Sequence, residues 1–133
     1  MAKVRAKKKL PASAEAIKEA RLLRALLRDQ AFLGLVRVSG LPDPVMEHAF
    51  AAPERKFRFD YAWKEQMVAL EVEGGAYTGG RHTRGPGFVK DLGKYSLAAA
   101  MGWRVIRVTP MQLATDYTIN LLKQAFRYRT VSV

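Results

Sequence analysis

From Phe57 to Trp63 the chain alternates. Phe57, Phe59, Tyr61 and Trp63 stand at every second position, with Arg58, Asp60 and Ala62 between them. A period of two predicts a strand with one apolar face. A second β-rich run, Met67 to Glu73, ends on Gly74-Gly75, a turn signal. If Lys64, Glu65 and Gln66 close a hairpin between these runs, Asp60 and Glu71 come near each other across the ladder.

Upstream the pattern takes a helical period. Ser13 is a good N-cap, and Glu15 falls in the first turn, where the helix dipole favours an acid. Ile17, Ala20, Leu23, Leu27 and Gln30 or Ala31 form one stripe, with Arg21, Arg24 and Arg28 mostly off it as a solvated face. This predicts a helix to at least Asp29, running on towards Val36, with Gly40 as the first stop. Gly40 to Pro44 reads as a rigid connector, Val45 to Phe50 as a short strand, and Pro53 to Lys56 as a turn.

Downstream, Phe88 to Met101 predicts a helix with Phe88, Leu92, Tyr95 and Ala99 down one side, ended by Gly102. Trp103 to Val108 is a strand. Thr109-Pro110 then opens a last helix from Met111 to about Phe126, a capping hydroxyl followed by proline at the first helical position. A strand–helix–strand crossover from Glu73 to Trp103 predicts an α/β protein. Its mixed central sheet would be flanked by helices on both faces.

Composition narrows the class. At 133 residues the chain suits one domain, residues 13–133, behind a flexible basic arm at 1–12. Cysteine is absent, which removes a disulfide framework and thiolate metal sites. No apolar run approaches the roughly 18 residues of a membrane span. The basic N-terminus lacks an apolar signal core, so a cytoplasmic location is expected, in a bacterium or a phage-infected host.

Charge points to the partner. The chain carries 23 Lys and Arg against 12 Asp and Glu, a net +11. Lys3, Arg5, Lys7, Lys8 and Lys9 crowd the arm, and taking these five from +11 leaves +6 for the remainder. Nucleic acid is the most economical polyanion for such a chain. A solubilising arm or contact with a membrane surface are the other uses of a basic tail.

Two carboxylates on neighbouring strands repel unless a cation neutralises them. Mg²⁺ is commonly held by one or two carboxylates, with water and phosphate completing its shell. There it activates water and stabilises phosphoryl charge. Read alone, the pair also fits an Asp60 facing solvent and a Glu71 paired with a basic residue. The run Gly74 to Gly87 adds Arg81, His82 and Arg84 to a glycine-rich loop directly after Glu71 and Glu73. Cationic donors beside an acidic cluster suit a scissile phosphate. The loop is not a Walker phosphate loop, because no Gly-Lys-Ser/Thr follows.

With a carboxylate hairpin after a helix and before a crossover, the chain resembles the PD-(D/E)XK nuclease superfamily. Asp60 matches the first motif aspartate and Glu71-Val72-Glu73 the (D/E)-x-K element, over roughly Asp29 to Gln112. The segments E-V-E-G-G, G-R-H-T-R-G-x-G-F-x-K-D and G-W-R-V-I-R-V-T look like small phage and bacterial endonucleases and very-short-patch-repair relatives. The compact basic layout is similar to archaeal-type Holliday junction resolvases.

The resemblance implies a restriction-endonuclease-like core in the order α-β-β-β-α-β-α and Mg²⁺-dependent hydrolysis of DNA, with Mn²⁺ able to substitute. Asp60, Glu71 and the Val72 carbonyl would hold the metal, and Glu73 or a metal-bound hydroxide would act as base. Glu73 stands where the family lysine is expected, so a lysine from the next helix would replace it, Lys90 first and Lys94 second. The helix-1 acid of the family falls near Gln30, leaving Glu19 or Glu47 to serve in its place. Lys7, Lys8, Lys9, Arg81, His82, Arg84 and Lys94 would bind DNA, and a resolvase cutting two strands would be a homodimer. Another nicking, repair or restriction-type nuclease, or a non-catalytic DNA-binding protein on a degenerate nuclease fold, are the alternatives.

Overall fold

The computed structural model describes residues 13–74 and 85–128. Its elements are α1 (Ala14–Val38), β1 (Val45–His48), β2 (Phe59–Trp63), β3 (Val68–Val72), α2 (Pro86–Ala100), β4 (Arg104–Val108), α3 (Pro110–Leu113) and α4 (Asp116–Arg127). The four strands form one mixed sheet in the order β1-β2-β3-β4. The first three are an antiparallel meander, and β4 runs parallel to β3 after the α2 crossover. The class expected from sequence, α/β with a mixed sheet between helices, is the class observed.

α1 starts where Ser13 accepts the Ala16 N–H at 3.2 Å. It ends at Gly40, whose φ of 76° lies in the left-handed region that a terminating turn needs. The β2–β3 turn closes with Met67 N–H donating to the Lys64 carbonyl, and with Met67 at φ 55°. Arg104 then ties the far end together. Its guanidinium donates to the carbonyls of Ala125 and Tyr128 at the end of α4 and of Gln66 in the turn.

Two cores lie on the two faces of the sheet. One gathers Phe32 and Val36 of α1, Tyr61, Trp63, Val68, Leu70 and Val108 of the strands, Leu113, and Ile119 and Leu122 of α4. The other gathers Phe50, Phe57, Phe59, Ala62, Ala69 and Trp103 under Ala98 of α2. Each fully buried large side chain contributes about 1.5–3 kcal/mol.

Four expectations change. The aromatic alternation switches sides at Asp60: Tyr61 and Trp63 join the first core, Phe57 and Phe59 the second. The single last helix is two. Thr109 and Gln112 form a capping box around one turn, and the hydroxyls of Thr115 and Thr118 both donate to the Gln112 carbonyl, closing α3 before α4 begins. On α1 the leucine stripe is not the buried one, since Leu23 and Leu27 are exposed while Phe32 and Val36 are sealed. On α2 the inward side carries Asp91, Lys94, Tyr95 and Ala98, whereas Phe88, Leu92 and Ala99 are exposed.

Candidate active site

Asp60 and Glu71 meet where the hairpin opens. The β2–β3 register pairs Tyr61 with Leu70, and one step further along it sets Asp60 opposite Glu71. Asp60 Oδ2 accepts the Val72 N–H at 2.7 Å. Glu71 Oε1 accepts from Lys94 Nζ at 2.9 Å, and the two side chains are only 9 % and 15 % exposed. Lys94 reaches it because it lies one turn before Ala98, which packs in the same core as Ala69, two residues before Glu71.

One lysine does not balance this charge. Burial pushes the Glu71 carboxyl up to about 7 despite the Lys94 hydrogen bond, and the Asp60 charge adds to the rise. Burial also raises Asp60, against the Val72 N–H and Lys94, with Asp29 and Glu73 adding like charge.

Beside Asp60 opens a cavity of about 240 Å³ lined by Arg28, Asp29, Met46, Glu47, Asp60, Tyr61 and Val72, among others. Asp29 comes from α1 and accepts a hydrogen bond from the Tyr61 hydroxyl, whose ring packs 4.7 Å from Phe32. Glu47 sits at φ 51°, a strained backbone for a residue with a side chain. Its carboxyl is raised by burial and by the charge of Asp60.

A different cluster holds Glu73. Its Oε1 accepts from Arg107 Nε at 2.6 Å and from the Tyr95 hydroxyl at 3.0 Å, and the Arg107 guanidinium lies 4.1 Å over the Tyr95 ring. Burial pushes Glu73 up, but the Arg107 and Tyr95 hydrogen bonds outweigh it and hold the carboxyl below its ordinary range.

The structure therefore joins Asp60, Glu71, Val72 and Lys94, and it displaces three expectations. Lys90 is exposed, and Lys94 is the α2 lysine at Glu71. Gln30 is exposed, and its neighbour Asp29 lines the cavity, because one helical step turns a side chain by about 100°. Glu73 is held by Arg107 and Tyr95 and does not line the cavity beside Asp60. Of the two candidates to replace the helix-1 acid, Glu47 lines the cavity and Glu19 does not. Lys7, Lys8, Lys9, Arg81, His82 and Arg84 lie outside the described residues.

Sequence reasoning missed Asp29, although the signal was present. It precedes Phe32 by three and Val36 by seven positions, on the stripe of α1 that faces the sheet. Comparison with protein-family models, curated proteins and solved structures found no match for the chain.

Asp60, Asp29 and Glu47 bring carboxylate oxygens to the cavity, and burial first, then like charge, raises Asp60, Glu47 and the neighbouring Glu71. That chemistry suits a hard divalent cation. As placed, no three His, Cys, Asp or Glu side chains among the described residues stand close enough to hold a metal ion by themselves. Mg²⁺ needs fewer, because it keeps several waters and takes substrate phosphate oxygens.

No helix among the described residues is long and apolar enough to cross a membrane.

Proposed function

We propose that the chain is a metal-dependent DNA endonuclease with a restriction-endonuclease-like core, acting on branched DNA in the manner of a Holliday junction resolvase. The observation that carries this reading is the Asp60–Glu71 pair on adjacent strands, under-neutralised and contacted by Lys94. The antiparallel meander followed by a parallel β4 supports it, as does the net charge of +11. So does the strained Glu47 at the cavity, since backbone strain clusters at functional sites.

Asp60, Glu71 and the Val72 carbonyl would hold Mg²⁺ or Mn²⁺, with Asp29 and Glu47 across the cavity. Bound there, the ion supplies a Lewis acid for the phosphodiester and lowers the pKa of water. Lys94 takes the part of the motif lysine: its ammonium, held by Glu71, offers hydrogen bonds to a phosphate oxygen. Arg28, at the rim, supplies cationic attraction for the strand. Glu73 keeps Arg107 and Tyr95 in place and is not the base.

A second reading is a DNA-binding protein without catalysis. Glu73, tied to Arg107 and Tyr95 at the position where the motif lysine would stand, favours it. Labelled four-way junction, linear duplex and single strand, incubated with Mg²⁺ or with chelator, separate the two. Paired metal-dependent nicks confined to the junction are the expected result. Junction binding with no cleavage in Mg²⁺ or Mn²⁺ would instead leave the binding-only reading standing.

A further inference from the structure

α1 outruns the body of the domain. From Ala14 to Arg24 every side chain but that of Ala20 is exposed. Further along, the side of the helix that packs on the sheet is marked by Phe32 and Val36, both fully buried. Counting back from Phe32 by 4, 7, 11 and 14 positions gives Arg28, Ala25, Arg21 and Lys18. At 3.6 residues per turn these share one side with Phe32, and Arg24 flanks them. The side that meets the sheet in the second half of α1 is therefore a row of cations in the first. Arg28 and Ala25 also line the cavity beside Asp60, so the row leads directly out of that cavity.

The charges on this half of the helix are sorted. Its two acids, Glu15 and Glu19, fall on a different stripe with Leu22 and Leu26, at successive steps of 4, 3 and 4. Among the described residues, none of Lys18, Arg21, Arg24 and Arg28 forms an ion pair. The geometry points to the first half of α1 as a rail for the phosphate backbone of the nucleic acid that enters the Asp60 cavity. The inference deepens the proposed function and rests on its reading of that cavity.

From Lys18 to Arg28 the helix rises about 15 Å. One strand of a duplex advances about 3.4 Å per phosphate, so the rail spans about four phosphates and offers a cation to each. Contacts of this kind position the backbone and carry no base sequence. They lengthen the footprint on one side of the cavity only, and so set the direction in which the substrate leaves it. An anionic lipid surface fits less well. There the leucines would turn into the bilayer, and Glu15 and Glu19 stand among them, where a desolvated carboxylate is costly.

Fluorescence anisotropy of a labelled duplex of about 30 base pairs tests the rail, with the full chain, in chelator, from about 0.05 to 0.3 M salt. Lys18→Gln/Arg21→Gln should bind about 10–100-fold more weakly than the parent near 0.1 M, and its plot of log affinity against log salt should be flatter by about 1.8. Its circular-dichroism spectrum should match the parent's, because both side chains are exposed. Lys123→Gln/Arg127→Gln removes the same charge from α4 at the far end of the sheet, beside the Arg104 contact with Tyr128. It should change the slope by less than about 0.5. A Lys18→Gln/Arg21→Gln chain that binds like the parent overturns the inference. So does an equal loss in the α4 variant, which would make net charge the cause. Loss of binding to phosphatidylserine vesicles with duplex binding kept overturns it in favour of a lipid surface. Selective loss of duplex binding in a chain that cuts no DNA would leave the rail standing and sink the nuclease reading instead.

Discussion

Glu71 and Glu73 leave the chain two residues apart at the end of β3, and their surroundings treat them in opposite ways. Glu73 meets a guanidinium and a phenol, and its carboxyl sits below the ordinary range. Glu71 meets a single ammonium while facing Asp60, and burial drives it up to about 7. One carboxylate is satisfied by the chain itself. The other remains costly until something positive arrives. Carboxyl groups shifted in this way by burial and a like-charged neighbour cluster at functional sites.

The largest expected effect is on cleavage. Asp60→Asn or Glu71→Gln should lower junction cutting by about 10²–10³-fold or more, while Glu73→Gln keeps it within about tenfold. A gel assay under single-turnover conditions measures this. Equal losses in all three would erase the distinction between the two carboxylates. Next in size is the lysine. Lys94→Met should cost about 10²-fold in the chemical step, and Lys90→Met about twofold or less. The reverse order would mean that the α2 contact with Glu71 is structural only.

The smallest effects are on stability, and they differ in sign. Glu71 has a folded pKa of about 7 against 4.5 for the ordinary group. Its favourable contribution is complete below about 4.5 and is lost as pH rises through about 7. Glu71→Gln should therefore stabilise the metal-free protein by about 1–3 kcal/mol at pH 8, with the gain gone by about pH 5. Glu73 is shifted down, so its contribution is present above the ordinary value and lost as pH falls through the folded one. Glu73→Gln should cost about 1 kcal/mol at neutral pH and less in acid. Urea denaturation at the two pH values reads both.

The elements were legible because their signals are local. Alternation marked the hairpin, Ser13 and Gly40 bounded α1, and Thr109-Pro110 opened α3. The pair Asp60 and Glu71 was legible as well, since two strands joined by a short turn leave few ways to face each other. What sequence patterning misjudged was which side of a helix points inward. On α1 and α2 the more apolar stripe was read as the packed one, yet the sheet takes Asp29 on the first and Asp91 and Lys94 on the second. Hydrophobic periodicity finds a core-facing stripe only where that face serves the core alone. Where a helix lends polar residues to a site the stripe rotates, as between Gln30 and its neighbour Asp29, whereas Lys90 lies on the same face as Lys94 but about one turn too early.

The measurement nearest the central claim is thermal unfolding at pH 8 with and without millimolar Mg²⁺ or Mn²⁺, for the parent chain, Asp60→Asn and Glu73→Gln. If the Asp60–Glu71 cluster receives the cation, the parent and Glu73→Gln should both gain Tm on addition of metal, and Asp60→Asn should gain none. No gain in the parent, or the same gain in Asp60→Asn, would contradict it.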